Sequence, residues 1–233
     1  MFSLMNMLRM KQLLVLLLAA LGAVSCEARS GGNEAATPPQ EDHRFAELPK
    51  PQPGEAVATF ASGCYWCAEH VFESLKGVRT VISGHAGGTV PNPTYEQVGR
   101  GGTGHAEAIQ VYYDPKVISF PTLLKVFFVQ HDPTTLNRQG PDAGEEYRSI
   151  AFYRSPQEKQ QIEAEIQRVN AAKLYPSPIV TQVVPFKAFY PAERYHQDYF
   201  VNHPDNPYIR NVSTPRYNHF AKAFPELIKK SGT

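Results

Sequence analysis

The apolar positions of this 233-residue chain change period several times, and each change marks an element. Ala56-Val57-Ala58-Thr59-Phe60 reads as a short buried strand broken by Ser62-Gly63. Cys64, Ala68, Val71 and Leu75 then fall on one helical stripe, which Gly77 stops. Val78 to Ser83 reads as a second strand running into a Gly84-His85-Ala86-Gly87-Gly88 turn, and Asn92-Pro93-Thr94-Tyr95 as a turn capping a short helix through Val98. Ala106 to Tyr113 is a strand ended by Asp114-Pro115; Phe120, Leu123, Leu124, Phe127 and Phe128 then set a helix to Gln130. Asn137 to Glu146 is polar and glycine-containing, hence a surface loop, and Ser149 to Tyr153 is a strand. Ser155 as N-cap, Pro156 at the first helical position and Glu158 open a helix whose buried stripe is Ile162, Ile166 and Val169. Ile179 to Val184 is a further strand, and Tyr190 to Thr233 is aromatic and Pro-rich with no strong period, so coil and short helices are expected there. Interleaved strands and helices predict an α/β sandwich with one helix-covered sheet.

The N-terminal part follows other rules. Arg9 and Lys11 precede a twelve-residue apolar run, Leu13 to Val24, that ends in Ser25-Cys26. That run is too short to span a bilayer as a helix and suits a signal-peptide core. The small residues before Cys26 resemble a bacterial lipoprotein processing site, so residues 1–26 are read as a signal peptide with a lipidated Cys26. Ordinary secretion with an unmodified Cys26 is the alternative. Either way the protein is expected to be exported to the periplasm or cell envelope, with a membrane contact only through the lipid. Residues 27–53 are rich in Gly, Ala, Pro, Glu and Gln and read as a flexible tether. The folded domain is expected over 54–233. The whole chain is 42% hydrophobic with net charge +1 and scattered cations, which gives no electrostatic case for nucleic acid.

Two of the three cysteines lie in Gly63-Cys64-Tyr65-Trp66-Cys67, with the only tryptophan between them. Cys64 falls at a helix start, where unpaired N–H groups and the helix dipole favour a thiolate nucleophile. A structural disulfide and half of a zinc site are the competing readings. No second Cys or His pair stands at zinc spacing, and a staple closing so short a loop would stabilise little. Downstream, strand alternation puts Glu107 on one face with Ile109, Val111 and Tyr113. A carboxyl on an apolar face is desolvated and held protonated, fit for general acid work; a strand-end Glu reaching solvent is the equally weighted alternative.

Gly63-Cys64-Tyr65-Trp66-Cys67 closely resembles the signature of the A-type peptide methionine sulfoxide reductases, which act on the S epimer. The similarity continues in order through Pro91-Asn92-Pro93-Thr94-Tyr95, Gly104-His105-Ala106-Glu107-Ala108 and His131-Asp132-Pro133-Thr134-Thr135. It runs on through Gln139-Gly140-Pro141-Asp142 and Tyr147-Arg148-Ser149 to His196-Gln197-Asp198-Tyr199. Carried over by position, Cys64 resembles the nucleophile and Glu107 the acid that protonates the sulfoxide oxygen. Tyr95 and Tyr147 match hydroxyl donors that hold that oxygen, and Asp142 the polar rim of the substrate pocket. Tyr65 and Trp66 match aromatic walls for the methyl group, and Tyr199 another pocket residue.

The resemblance implies a ferredoxin-like two-layer sandwich with a mixed sheet and a long irregular C-terminal segment. It further implies a monomer, no metal or organic cofactor, and a thioredoxin-like dithiol as reductant. In the implied cycle Cys64 becomes a sulfenic acid, and Cys67 condenses with it to a disulfide. Several residues depart from the family's usual ones: Tyr65 where Phe is common, His85 where a turn usually has Tyr, and Pro141 and Glu145-Glu146. No cysteine follows Cys67, so the C-terminal recycling cysteines of other members have no counterpart. The rival readings are a thiol–disulfide oxidoreductase of the cell envelope, since a C-x-x-C at a helix start is also the thioredoxin arrangement, and a non-enzymatic lipoprotein module stapled by its cysteines.

Overall fold

A computed structural model describes residues 41–230. The apolar run at 13–24, Cys26 and the first part of the expected tether lie outside the described residues. Four strands form the centre of the sheet: β1 (Ala56–Ser62), β2 (Val78–Ala86), β3 (Ala106–Tyr113) and β6 (Ser149–Tyr153). They pair antiparallel in the order β6-β1-β3-β2. Helices α1 (Tyr65–Glu73) and α3 (Phe120–Gln130) follow the first and third of these strands in sequence. This β-α-β-β-α-β course with that strand order is the ferredoxin-like arrangement. The edge strand β7 (Gln182–Pro185) adds parallel to β6, making the sheet mixed, and β8 (Phe189–Pro191) extends the other edge antiparallel to β2.

One face of the sheet carries the larger core. Phe60 stacks against Phe127 at 5.0 Å and Phe72 at 5.4 Å between ring centroids. Leu123, Leu124, Ile162, Val169 and Phe220 close the layer. The last three belong to two further helices, α4 (Pro156–Ala171) and α6 (Thr214–Ala223). The opposite face holds a smaller cluster of Ala61, Ala86, Ala106, Ala108, Ile150, Phe152 and Phe189. Burying the Phe60 side chain alone is worth about 1.5–3 kcal/mol, which explains why the strand that precedes the cysteines is apolar on this face.

Four expectations are corrected. β2 runs to Ala86 instead of turning at Gly84, because residues 84–86 are paired on both sides, by β3 and by β8; the turn begins at Gly87, φ +88°. The loop expected over 137–146 contains a two-stranded ladder, β4 (Arg138–Gln139) with β5 (Asp142–Ala143), joined through Gly140 at φ +57°. The strand expected at 179 starts at Gln182, since Val180 N–H bonds the carbonyl of Pro133. Finally, the expected tether is not free of the body over its described part. Ala46 N–H bonds Ala192 O at 2.9 Å and Arg194 N–H bonds Arg44 O at 2.8 Å, so the compact unit begins at about residue 41, upstream of 54.

Candidate active site

The site is built where β1 ends and α1 (Tyr65–Glu73) begins. Gly63 makes that turn at φ +79°, and a Cβ there would stand 2.5 Å from Gln139 Cβ, so only glycine fits. Cys64 occupies the N-cap and offers no side-chain cap. The orphan N–H of the next residue, Tyr65, is met instead by Glu107 Oε2 at 3.0 Å. Glu107 comes from β3, paired directly opposite His85 of β2, and is 2% exposed. The carboxyl therefore does not reach solvent as a strand-end residue would. Burial pushes its pKa up to about 8, outweighing the Tyr65 N–H bond that favours the anion. At neutral pH it is a carboxylic acid. With Oε2 accepting from the backbone, Oε1 is left to carry the proton.

One cavity with about 410 Å³ of empty space is lined by Cys64, Tyr65, Trp66, Tyr95, Glu107, Asp142, Tyr147 and Tyr208. It brings together eight residues from five segments of the chain. Tyr95 arrives on the one-turn helix Tyr95–Gly99, whose N-cap Thr94 and Gln97 form a capping box. Burial pushes its phenol up to about 12, and that of Tyr147 higher still. Both stay protonated donors at any physiological pH. Asp142 stands on β5, where the small ladder turns it toward the site. Burial raises it, and it accepts a hydrogen bond from the Tyr208 hydroxyl at 2.5 Å.

Tyr199 is not among the residues lining the cavity. It stacks flat on Trp66 at 3.7 Å and 9°, and Trp66 Nε1–H donates to His196 Nδ1 at 3.1 Å. The indole is thus fixed from behind by two residues of one block, and Tyr199 supports the wall without forming it. The Tyr65 ring is 1% exposed, and its hydroxyl and the two ring nitrogens of neighbouring His85 are buried with no hydrogen-bond partner among the described residues. His85 is strand rather than turn, and burial holds its pKa down to about 3, so it is a neutral packed residue that does not titrate near pH 7.

The thiols divide their charge differently from what a helix start alone suggests. Cys64 and Cys67 are both free and buried. Complete burial raises Cys64, whereas Cys67 is pulled down to about 6, first by a hydrogen bond from Cys64 and further by Arg216 and the Ser213 hydroxyl. Of the two thiols, Cys67 is therefore the one that gives up its proton more readily. Tyr208 lines the same cavity as Cys64 and acts to lower that thiol's pKa. Sequence reading missed Tyr208, Ser213 and Arg216 because they follow the last matched block, in a stretch without period. Among the described residues no three of His, Cys, Asp and Glu converge so as to hold a metal ion.

Comparison with known proteins decides the family. The model of the family described as peptide methionine sulfoxide reductase matches residues 56–227. This chain belongs to the peptide methionine sulfoxide reductase family. A relative named peptide methionine sulfoxide reductase MsrA from Thermus thermophilus is 50% identical over 175 residues, 75% of this chain and 98% of that one. MsrA 1 of Rhodopirellula baltica is 47% identical over 191 residues, 82% of this chain and 98% of its own. Among solved structures, the reduced form of Mxr1 from Saccharomyces cerevisiae aligns with a TM-score of 0.63 at 35% identity, covering 67% of this chain and 91% of that one. Methionine sulfoxide reductase A of Corynebacterium diphtheriae aligns with a TM-score of 0.59 at 33% identity, covering 70% and 89%. The reductase fold and the type of reaction, reduction of methionine sulfoxide, follow from this membership.

Proposed function

We propose that this reductase acts on the S epimer of methionine sulfoxide, free or in exported proteins, through a Cys64 sulfenic acid and a Cys64–Cys67 disulfide. The observation that carries the reading is the single small cavity in which the Cys64 sulfur, a protonated carboxyl and two protonated phenols converge. A sulfoxide is a poor electrophile until its oxygen is protonated, and three protonated donors opposite a sulfur nucleophile supply that condition. Trp66 and Tyr65 offer the apolar aromatic surface that an S-methyl fills.

The protons balance within the site. Cys64 passes its proton to Cys67 and attacks the sulfoxide sulfur as a thiolate, while Glu107 Oε1 gives its proton to the oxygen. Methionine leaves, and Cys64 holds the oxygen as a sulfenic acid. Cys67 then attacks Cys64 Sγ; the S–S bond forms, the S–O bond breaks, and the departing hydroxide takes the proton Cys67 had held. The two hydrogens of the water are thus those of Glu107 and the thiol pair. Glu107 is left ionised and reprotonates from solvent. A thioredoxin-like dithiol reduces the disulfide by exchange. Export and lipidation at Cys26 rest on the apolar run and the Ser25-Cys26 site alone.

An epimer-resolved assay tests the reading. With dithiothreitol as reductant, the protein is expected to consume methionine-S-sulfoxide and leave the R epimer untouched. Inactivity on both epimers, with activity on a disulfide substrate, would instead make it a thiol–disulfide oxidoreductase.

A further inference from the structure

We propose that Ser213, held by a π-helical turn, positions and activates Cys67 as the thiolate of the disulfide-forming step; this rests on the reductase cycle above. The Ser213 hydroxyl lies 2.8 Å from Cys67 Sγ, and both residues are nearly inaccessible, 1% and 2% exposed. No other hydrogen bond engages that hydroxyl among the described residues, so its proton is free for the sulfur. Ser213 closes a one-turn π-helix, Ile209–Ser213, placed between Tyr208 and α6 (Thr214–Ala223). A π-turn rotates side chains out of the regular helical register and is common at functional sites. Here it lets two residues only five apart face the two thiols, Tyr208 by lining the cavity with Cys64 and Ser213 by bonding Cys67.

The charge of Arg216 points the same way. Its guanidinium donates to Ser62 O at 2.7 Å and to the backbone and side-chain oxygens of Gln130, all neutral acceptors. It forms no ion pair with a carboxylate among the described residues. A part-buried cation lacking a counter-charge favours an anion nearby, and Arg216 lowers Cys67. The other titratable groups acting on the thiol pair are Asp142, Glu107 and Tyr208. Glu107 is neutral at pH 7 and Tyr208 is a protonated phenol, so Asp142 is the one group that works against a Cys67 anion. In the second step Cys67, having briefly taken the proton of Cys64, must release it and attack the sulfenic sulfur. A hydroxyl donor and a lone cation facing it make that release easy. Family members with C-terminal recycling cysteines bring a thiol in from the tail; this chain brings a serine that tunes a thiol already on the helix.

The test compares wild type, Ser213→Ala and Ser213→Thr in the intact reduced protein mixed with one equivalent of methionine-S-sulfoxide. Methionine release, disulfide formation and thiolate absorbance at 240 nm against pH are followed. Losing one hydrogen bond to a charged group is worth about tenfold to hundredfold. The first thiol ionisation of Ser213→Ala is therefore expected one to two pH units higher, with disulfide formation at pH 7 slower by up to about tenfold, and sulfenic acid on Cys64 trapped by dimedone. Ser213→Thr, which keeps the hydroxyl, is expected to restore both. If Ser213→Ala does not fold, the wild-type absorbance titration decides: the first thiol ionisation is expected below that of a free cysteine, and one at or above it would overturn the assignment. Ser213→Ala matching wild type in titration and disulfide formation also overturns it, leaving the cycle intact. Failure of wild type itself to form the Cys64–Cys67 disulfide would instead refute the underlying cycle.

Discussion

Glu107→Gln is predicted to make the protein slower and more stable at once. The carboxyl is buried and its pKa lies near 8, against an ordinary value of 4.5. At pH 7 about nine in ten molecules carry the acid form, and at pH 9 about one in ten. The first step of wild type should therefore fall about tenfold per pH unit above 8. The raised pKa also fixes the sign for stability. Between 4.5 and about 8 the folded state binds a proton that the unfolded state has lost, so stability falls as pH rises across that window and is level on either side. The window spans roughly 3.5 pH units at about 1.4 kcal/mol each, an upper bound of about 5 kcal/mol, of which about 3 kcal/mol is lost by pH 7. Glutamine has the same shape, still accepts from Tyr65 N–H through its carbonyl, and never ionises. Glu107→Gln should unfold at higher denaturant concentration than wild type at pH 7 to 8, with the difference vanishing near pH 4. Rapid-quench single turnovers should show methionine release slowed by roughly 10²–10⁴-fold, the usual worth of a general acid. A variant with near-normal single-turnover rate, or with no pH-dependent stability gain over wild type, would refute both the acid role and the desolvation argument behind it.

Cys67→Ser is expected to release one methionine per enzyme, leave a dimedone-reactive sulfenic acid on Cys64, and turn over poorly with thioredoxin while small thiols partly rescue it. Cycling with thioredoxin at the wild-type rate would remove Cys67 from the pathway. Tyr208→Phe, which deletes the hydroxyl that bonds Asp142 inside the cavity that holds Cys64, is predicted to slow methionine release by roughly 10–100-fold; an unchanged single-turnover rate would reduce Tyr208 to a ring in the wall. Cys26→Ser is predicted to move the protein from the membrane to the soluble fraction. An unacylated wild-type Cys26 in fully soluble protein would end the lipid-anchor reading.

The legible part of this protein was the part governed by period and by short-range chemistry. β3 (Ala106–Tyr113) and the helix Phe120–Gln130 coincide with their apolar patterns, and Ser155 caps its helix through Glu158 N–H as its position suggests. The alternation placed Glu107 on the face of Ile109, Val111 and Tyr113, but its burial comes from β3 being covered on both faces, which the alternation does not show. What stayed hidden depends on pairing between distant segments. Gly84 and His85 look like a turn until β8 covers them, and the described part of the expected tether is held by a loop about 150 residues away. Tyr208, Ser213 and Arg216 carry no mark of their own, because a π-turn has no simple sequence period. Tyr217, Phe220 and Phe224 did stand at helical spacing, a signal that marks α6 in retrospect. The sulfur charges were hidden for another reason: the dipole at Cys64 is local, whereas Arg216 and Ser213, which join Cys64 in lowering Cys67, come from the other end of the chain.

The central claim is that the oxygen of a methionine sulfoxide leaves as water while two electrons pass from Cys64 and Cys67. Reduced wild type mixed with one equivalent of a methionine-S-sulfoxide peptide, quenched by alkylation and mapped by mass spectrometry tests it directly. The account predicts one methionine formed per chain, with Cys64 and Cys67 joined in one disulfide-linked peptide and Cys26 uninvolved. Methionine formed while both thiols remain alkylatable, or unreduced sulfoxide beside two free cysteines, would contradict it.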